Sequence, residues 1–368
     1  MNAFNRLFPE NEPVIGLAPM AGFTTPAFRG LAAHFGASYT VTELVSARGI
    51  TYDRGLCRSL RYLAPPDTFS HVPFLNFPAS DNAASIINKR PWGIQLFGSV
   101  PADFAAAIDL IFEETQLQTA AFVDINMGCP VPKVAKEGAG AALMGNPLLC
   151  GRIVEAAERA ASRHGRFITV KIRLGLDQAS INAPLVAKTV VSAGATAVTC
   201  HARTADQFYS GYADWPRIAQ VKDAIDVPVI GNGDLVTAGD LIKMRNETGC
   251  DGFAIGRASR GNPRLFMTLR RDLNLCSDQE SRQDESTVLD SNRLSAEAWL
   301  QIMMAQLDAT IERLGEAVAV REMRSSLAFY LKGFPGAATF RSRVMKPETR
   351  DGVVAVLRDA ADSRAKHM

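Results

Sequence analysis

The chain has 368 residues, 47% hydrophobic and 21% charged, with a formal net charge of +2. It is long enough to bury a large core with room for a small second domain, and the near-neutral balance points to no partner by itself. Six scattered cysteines (Cys57, Cys129, Cys150, Cys200, Cys250, Cys276) without a C-x-x-C pair exclude a disulfide framework and a zinc site. The opening MNAFNRLFPENEP has no apolar stretch of the secretory kind, and no uncharged apolar run approaches the roughly 18 residues of a membrane helix. A cytoplasmic protein is expected, with no membrane partner.

In chain order the pattern is strand, loop, helix, repeated. Pro13 to Ala18 reads as the first strand, stopped by Pro19-Met20-Ala21-Gly22, and Thr25-Pro26 opens a helix with proline in its first turn. Tyr39 to Val45 is the β-branched second strand, and Leu60 to Arg90, rich in Pro, Ser and Asn, reads as an irregular insertion. Trp92 to Phe97 is the third strand, with Pro101 opening the next helix, and Phe122 to Asn126 is the fourth. Pro147 starts an amphipathic helix to about Arg163. Phe167 to Leu174, Ala195 to His201, Val227 to Gly231 and Gly252 to Ile255 complete a set of eight strands.

Eight apolar strands, mostly followed by helices, predict a closed (β/α)8 barrel of the TIM type, with a doubly wound open sheet as the alternative. Polar residues favour the barrel: Gln95, Asn126, Lys171, His201, Asn232 and Arg257 lie in or just after strands. In a barrel those carboxyl ends meet at one mouth. The barrel is expected over residues 1–270, a polar Ser/Asp-rich linker over 271–296, and a helical domain of roughly three helices over 297–368.

The stretch from Ala121 to Met144 concentrates the chemistry. The apolar run Phe122-Val123-Asp124-Ile125 breaks at Asn126-Met127-Gly128-Cys129-Pro130, which leaves a thiol at a strand's exit on a glycine-flanked loop. A small buried cysteine ending a strand is the plainer reading. Lys171 lies inside VKIRLG, where burial would require an anionic partner or a strand-end exit to water, and Arg173 shares its face by alternation. After the seventh and eighth strands, Gly231-Asn232-Gly233-Asp234 and Ile255-Gly256-Arg257 offer glycine backbone and a cation to a phosphate, or are ordinary turns. GNGDLV lacks the third glycine of a dinucleotide fingerprint, so a Rossmann NAD site is rejected.

NMGCP, followed by Lys133 and Lys136 in a K-x-x-K spacing and a run of small residues, closely resembles the active-site loop of the tRNA-dihydrouridine synthases. Other matches fall in the family's order from about Val14 to Phe266. The resemblance implies a flavoenzyme that reduces uridine in tRNA, with flavin mononucleotide (FMN) as cofactor and NADPH or NADH as reductant. It makes Cys129 the proton donor to uracil. It gives flavin contacts to the turn Pro19, Met20 and Ala21, to Gln95, Lys171 and His201, and to Asn232, Gly233, Asp234, Gly256 and Arg257. Asn126, Arg173 and Arg203 (the last in H-x-R-T) fall on substrate, and no metal is implied.

The tail carries six basic residues (Arg321, Arg324, Lys332, Arg341, Arg343, Lys346) against one acid, Glu322, with Phe329, Tyr330, Phe334 and Phe340 interleaved. Such a run is ordinarily a solvated helix face and such aromatics ordinarily core, yet a local basic surplus is what phosphate-backbone binding requires. It also resembles the family's tRNA-gripping carboxy-terminal helices, and the pattern is closest to the bacterial B-type branch, which implies a D-loop uridine. The alternatives are a flavin barrel reducing a free pyrimidine or other small enone, an aldolase with Lys171 as Schiff base, and a non-catalytic RNA-binding protein.

Overall fold

The computed structural model describes residues 2–9, 12–69, 90–273 and 294–367. Most of the Leu60 to Arg90 insertion and of the polar linker therefore lies outside the described residues. Strands β1 (Val14–Leu17), β2 (Thr40–Ser46), β3 (Trp92–Phe97), β4 (Phe122–Met127), β5 (Phe167–Ile172), β6 (Ala195–His201), β7 (Val229–Asn232) and β8 (Gly252–Ile255) form a closed barrel in sequence order. Every neighbouring pair is parallel, and β8 returns to β1 with Val14 opposite Gly252 and Leu17 opposite Ile255. That last pairing removes both sheet edges and excludes the open alternative.

Several strand ends lie one or two residues from the sequence expectation, those of β7 and β5 among them. β7 begins at Val229 because Pro228 has no N–H to give the ladder. β5 stops at Ile172, and Arg173 is the first residue beyond it. Prolines open the helices Pro26–His34, Pro101–Glu113 and Pro147–Arg163, where a missing N–H costs nothing. Asn146 caps the last of these by accepting from Leu149 N at 3.1 Å.

The amino-terminal end of the barrel is closed by aromatic rings. Phe4, Tyr39 and Phe122 meet edge to face at centroid distances of 5.8 to 6.2 Å, and Phe167 stacks on Phe122 at 5.7 Å. Glycines on the strands make room for them: a Cβ on Gly16 would stand 2.2 Å from the Tyr39 ring, and one on Gly93 would stand 2.2 Å from Phe122. With one end plugged, ligands can approach the interior only from the carboxyl ends of the strands.

The chain divides into two compact units, one from the described parts of residues 1–25, 37–66 and 90–258, the other from Pro26–Gly36, Asp67–Phe69 and the described residues from Ser259 onward. The first holds the barrel. The second has four carboxy-terminal helices among the described residues where three were expected: Ala296–Leu314, Glu316–Tyr330, Ala337–Val344 and Arg350–Ala365. The additional one, Ala337–Val344, lies within the basic stretch. Leu31 and Phe35, at the helix after β1, share this unit's core with Trp299, Met303, Leu327 and Leu357. Within it Tyr330 donates to Gln306 at 2.7 Å.

Gly93→Ala is expected to destabilise the barrel by about 1–3 kcal/mol through ring displacement, read as a shift in the urea midpoint. Adding Phe122→Leu should make the pair cost less than the sum of the two single changes.

Candidate active site at the barrel mouth

The polar residues near the strand ends form two linked networks. In the first, Gln95 on β3 and Asp124 on β4 are register partners, as are Asp124 and Thr169 on β5. Gln95 Nε2 donates to Asp124 Oδ2 at 2.7 Å, and Thr169 Oγ1 donates to Asp124 Oδ1 at 2.7 Å. One layer nearer the mouth, Asn126 Nδ2 donates to Gln95 Oε1 at 2.9 Å. Asn126 Oδ1 in turn accepts from Gly128 N at 3.1 Å and Cys129 N at 2.9 Å. The thiol loop is thus fastened to the barrel interior through its own backbone.

Cys129 is half-buried, and burial pushes its thiol above the ordinary value despite the Val131 N–H and the nearby Arg173 and Lys171. It stands as a neutral thiol at neutral pH, the form that donates a proton and not the form that attacks. Gly140, at φ +60°, lets the chain fold back over it, since a Cβ there would meet Cys129 O at 2.6 Å.

The second network contains the cations. Lys171 Nζ donates to Asn232 Oδ1 at 3.1 Å, and Asn232 Nδ2 donates to Ala254 O at 2.6 Å. Burial, followed by the Arg173 charge, pulls the Lys171 ammonium down to about 8, with Asp124 opposing the shift. Lys171 and Asp124 also line one interior cavity of about 10 Å³ with Tyr39, Thr169 and Thr199, room for about one water. Of the two readings of Lys171 left open by its sequence, the structure favours the inward one: the residue is half-buried and its ammonium is bonded to Asn232.

Arg173, 2% exposed, stitches two loops together by donating to the carbonyls of Gly128 (2.9 Å), Thr204 (2.7 Å) and Phe208 (2.8 Å). Arg203, 1% exposed, donates to Ser210 O, to Gly211 O and to Asp234 Oδ2, the last at 2.7 Å. Asp234 also accepts from Ala213 N and from Arg257 at 2.9 Å; although burial opposes it, these partners hold its carboxyl below the usual range. Arg203 Nη1 lies 3.4 Å from His201 Nε2, and because arginine only donates, that nitrogen accepts and Nδ1 carries the proton. Burial and the surrounding Lys171, Arg173, Arg203 and Arg257 hold His201 well below its ordinary value, so the imidazole is neutral.

Beyond β7 and β8, Gly233 (φ +126°) and Asp234 (φ +54°) take left-handed conformations in succession. Gly256 is open: a Cβ there would touch only Ala18 and the Met20 sulfur, both at 3.9 Å, which places the Pro19-Met20-Ala21 turn beside it. Gly22 N, ending that turn, donates to Glu43 at 2.5 Å. The Tyr209 ring lies between the guanidinium groups of Arg173 and Arg257, at 5.7 and 5.0 Å.

Asp124, Glu43, Thr169 and Tyr209 were not singled out by the sequence. The signal for Asp124 was present: an acid within a four-residue apolar run needs a buried partner. Tyr209 lies on a loop with no such cue. Among the described residues no group of three or more His, Cys, Asp and Glu could hold a metal ion, and no helix is long and apolar enough to cross a membrane.

A parallel barrel with a protonated thiol, a neutral imidazole and a half-buried lysine at its mouth defines a class of enzyme that works on a ligand lying across the strand ends. The family model described as dihydrouridine synthase matches residues 16–366, and the chain belongs to that family. A relative from Aquifex aeolicus is 30% identical over 346 residues, 94% of this chain and 95% of its own. One from Mycobacterium tuberculosis is 34% identical over 354 residues, 94% of this chain and 81% of its own. One from Treponema pallidum is 33% identical over 349 residues, 93% and 92% of the two chains. Each is named a probable tRNA-dihydrouridine synthase.

Asp234→Ala leaves the Arg203 guanidinium buried without its carboxylate and is expected to cost about 3 kcal/mol, the low end for breaking a buried pair, because Asp234 still reaches water. Chemical denaturation gives the value, and Asp234→Asn, which keeps an acceptor, should cost less.

Proposed function

We propose that the protein is a cytoplasmic tRNA-dihydrouridine synthase that reduces a D-loop uridine of tRNA to 5,6-dihydrouridine. The observation that carries this reading is the Cys129 thiol, held neutral on a loop fastened by Asn126 at the one open end of the barrel. Family membership supplies the reaction class.

The residues present suit FMN. Lys171 sets a cation among buried donors, a fit for the N1–O2 edge of an isoalloxazine. Gln95 is buried and bonded to Asp124 and Asn126, and the Pro19-Met20-Ala21 turn would offer a surface beneath the ring. The carboxylate of Asp234 is committed to Arg203 and Ala213, so it meets an FMN phosphate through backbone, alongside Asn232, Gly233, Gly256 and the exposed side of Arg257. Bound FMN, reduced by NADPH or NADH, supplies the hydride to C6 of the uracil.

The remaining chemistry belongs to the chain. Cys129 gives its proton to C5 from the face opposite the hydride, and its raised pKa keeps that proton available. Neutral His201 would face a bound flavin without adding positive charge there. Asn126 reads the uracil through its amide. Arg173 and Arg203 act on substrate by holding the loops after β4 and β6 in shape, since most of their donors are spent on carbonyls and Asp234. To reach this mouth the uridine must leave its stack.

The carboxy-terminal helices carry the RNA-binding surface in this reading. Tyr330 and Phe340 are core, but Lys332 is exposed, with its ammonium 3.9 Å from the Phe329 ring centroid, and Arg260 is 4.4 Å from the same ring. Arg343 pairs with Asp359, while Arg321 and Lys346 are exposed. Phosphate contacts there predict steep salt dependence.

Cys129→Ala is expected to keep FMN and tRNA binding and to lose at least about 100-fold in dihydrouridine formed per enzyme, the usual scale for a general acid. Full turnover in that variant would remove Cys129 from the reaction. Lys171 is protonated below about 8 and neutral above it, so FMN affinity should fall as pH rises through that value. Lys171→Met should bind FMN weakly at every pH and flatten the profile, measured by quenching of flavin fluorescence.

A further inference from the structure

We propose that Asp124 is a positioning residue that sets the donor–acceptor direction of the chain Asp124–Gln95–Asn126 and thereby holds the Cys129 loop. The consequence for proton donation rests on the reading of Cys129 given above; the chain itself does not.

The direction follows from the ends. At the loop end, Asn126 Oδ1 takes two backbone N–H groups, from Gly128 and Cys129, and a backbone donor cannot reverse. Oδ1 must therefore face the loop, so Nδ2 must face Gln95. Gln95 then has to present Oε1 to Asn126, which turns its own Nε2 inward. An inward amide N–H at a fully buried position needs an acceptor, and Asp124 Oδ2 is that acceptor at 2.7 Å. A donor at position 124 would oppose Gln95, favour a flipped amide there, and set two amide nitrogens, both donors, face to face at Asn126. The acid at the base of the chain thus selects one of two possible directions, and the thiol loop is built for that one.

Thr169 distinguishes this role from general polarity of the core. It donates to the other oxygen, Oδ1, and takes no part in the path to Asn126. Asparagine at 124 can still serve, with its oxygen toward Gln95 and its Nδ2 toward a Thr169 hydroxyl rotated to accept. Alanine cannot.

The test is alkylation of Cys129 by iodoacetamide in the full-length protein from pH 7 to 10, with the modified peptide quantified by mass spectrometry. The wild-type thiol should react slowly, with a profile displaced above that of free cysteine. Asp124→Ala should release the loop and raise the rate at pH 8 by about fivefold or more. Asp124→Asn and Thr169→Val should stay within about twofold of wild type. Gln95→Leu cuts the same chain in its middle and should behave like Asp124→Ala, which keeps the test available if Asp124→Ala does not fold. A folded Asp124→Ala or Gln95→Leu protein with wild-type alkylation would overturn the proposal, and so would Thr169→Val matching Asp124→Ala. Alkylation needs neither flavin nor RNA, so a failure here is separate from a failure of wild-type protein to reduce uridine.

Discussion

Arg173, Arg203, His201 and Asp124 lie buried together with the half-buried Lys171 inside one barrel mouth, and the arrangement of the site follows from the partners this burial demands. A buried charge left unpaired costs several kcal/mol. Lys171 is therefore answered by Asn232 and faces Asp124 across a small cavity, Arg203 is answered by Asp234, and Arg173 by three backbone carbonyls. The last two arrangements also shape the loops. The carbonyls that satisfy Arg173 belong to the residue before Cys129 and to the loop after β6, so satisfying a cation fixes the two walls of the site relative to each other.

The same crowding of cations sets the protonation states. Burial acts on all of the groups, but in opposite senses: it lowers Lys171 and His201 and raises Cys129. The neighbouring positive charges reinforce it at His201 and oppose it at Cys129. The outcome is one neutral base and one neutral acid beside a lysine poised to titrate close to neutrality. In the proposed reaction the acid must be protonated in the resting protein, and burial of the Cys129 thiol favours that form.

The fold was legible because the strands are apolar runs bounded by glycine and proline, and because polar residues recur near their carboxyl ends. Lys171 and Asn126 stand out in sequence for the reason that they matter in structure: a polar group inside an apolar strand has to be paired. Asp124 carried the same signal and was absorbed into the apolar run around it. What the sequence could not show were pairings across the barrel, since Gln95 to Asp124 and Arg203 to Asp234 depend on register between distant segments. Arg173 lies one residue past the end of β5, yet its charge acts with that of Lys171 on Cys129 and His201, in keeping with the shared face expected of the two. The helix Ala337–Val344 is short and starts after Gly-Phe-Pro-Gly, so its apolar positions are too few to announce it. Helix Pro26–His34 follows a barrel strand, yet shares a core with helices from the other end of the chain, a relation no local pattern encodes.

The central claim is that this mouth reduces a uridine of tRNA, and the most direct measurement is nucleoside mass spectrometry of tRNA from cells with and without this gene, with the modified position mapped. Loss of dihydrouridine at one D-loop position, restored by the wild-type gene and not by Cys129→Ala, is the result predicted. Unchanged dihydrouridine at every position, in cells with no other synthase to cover the site, would contradict it.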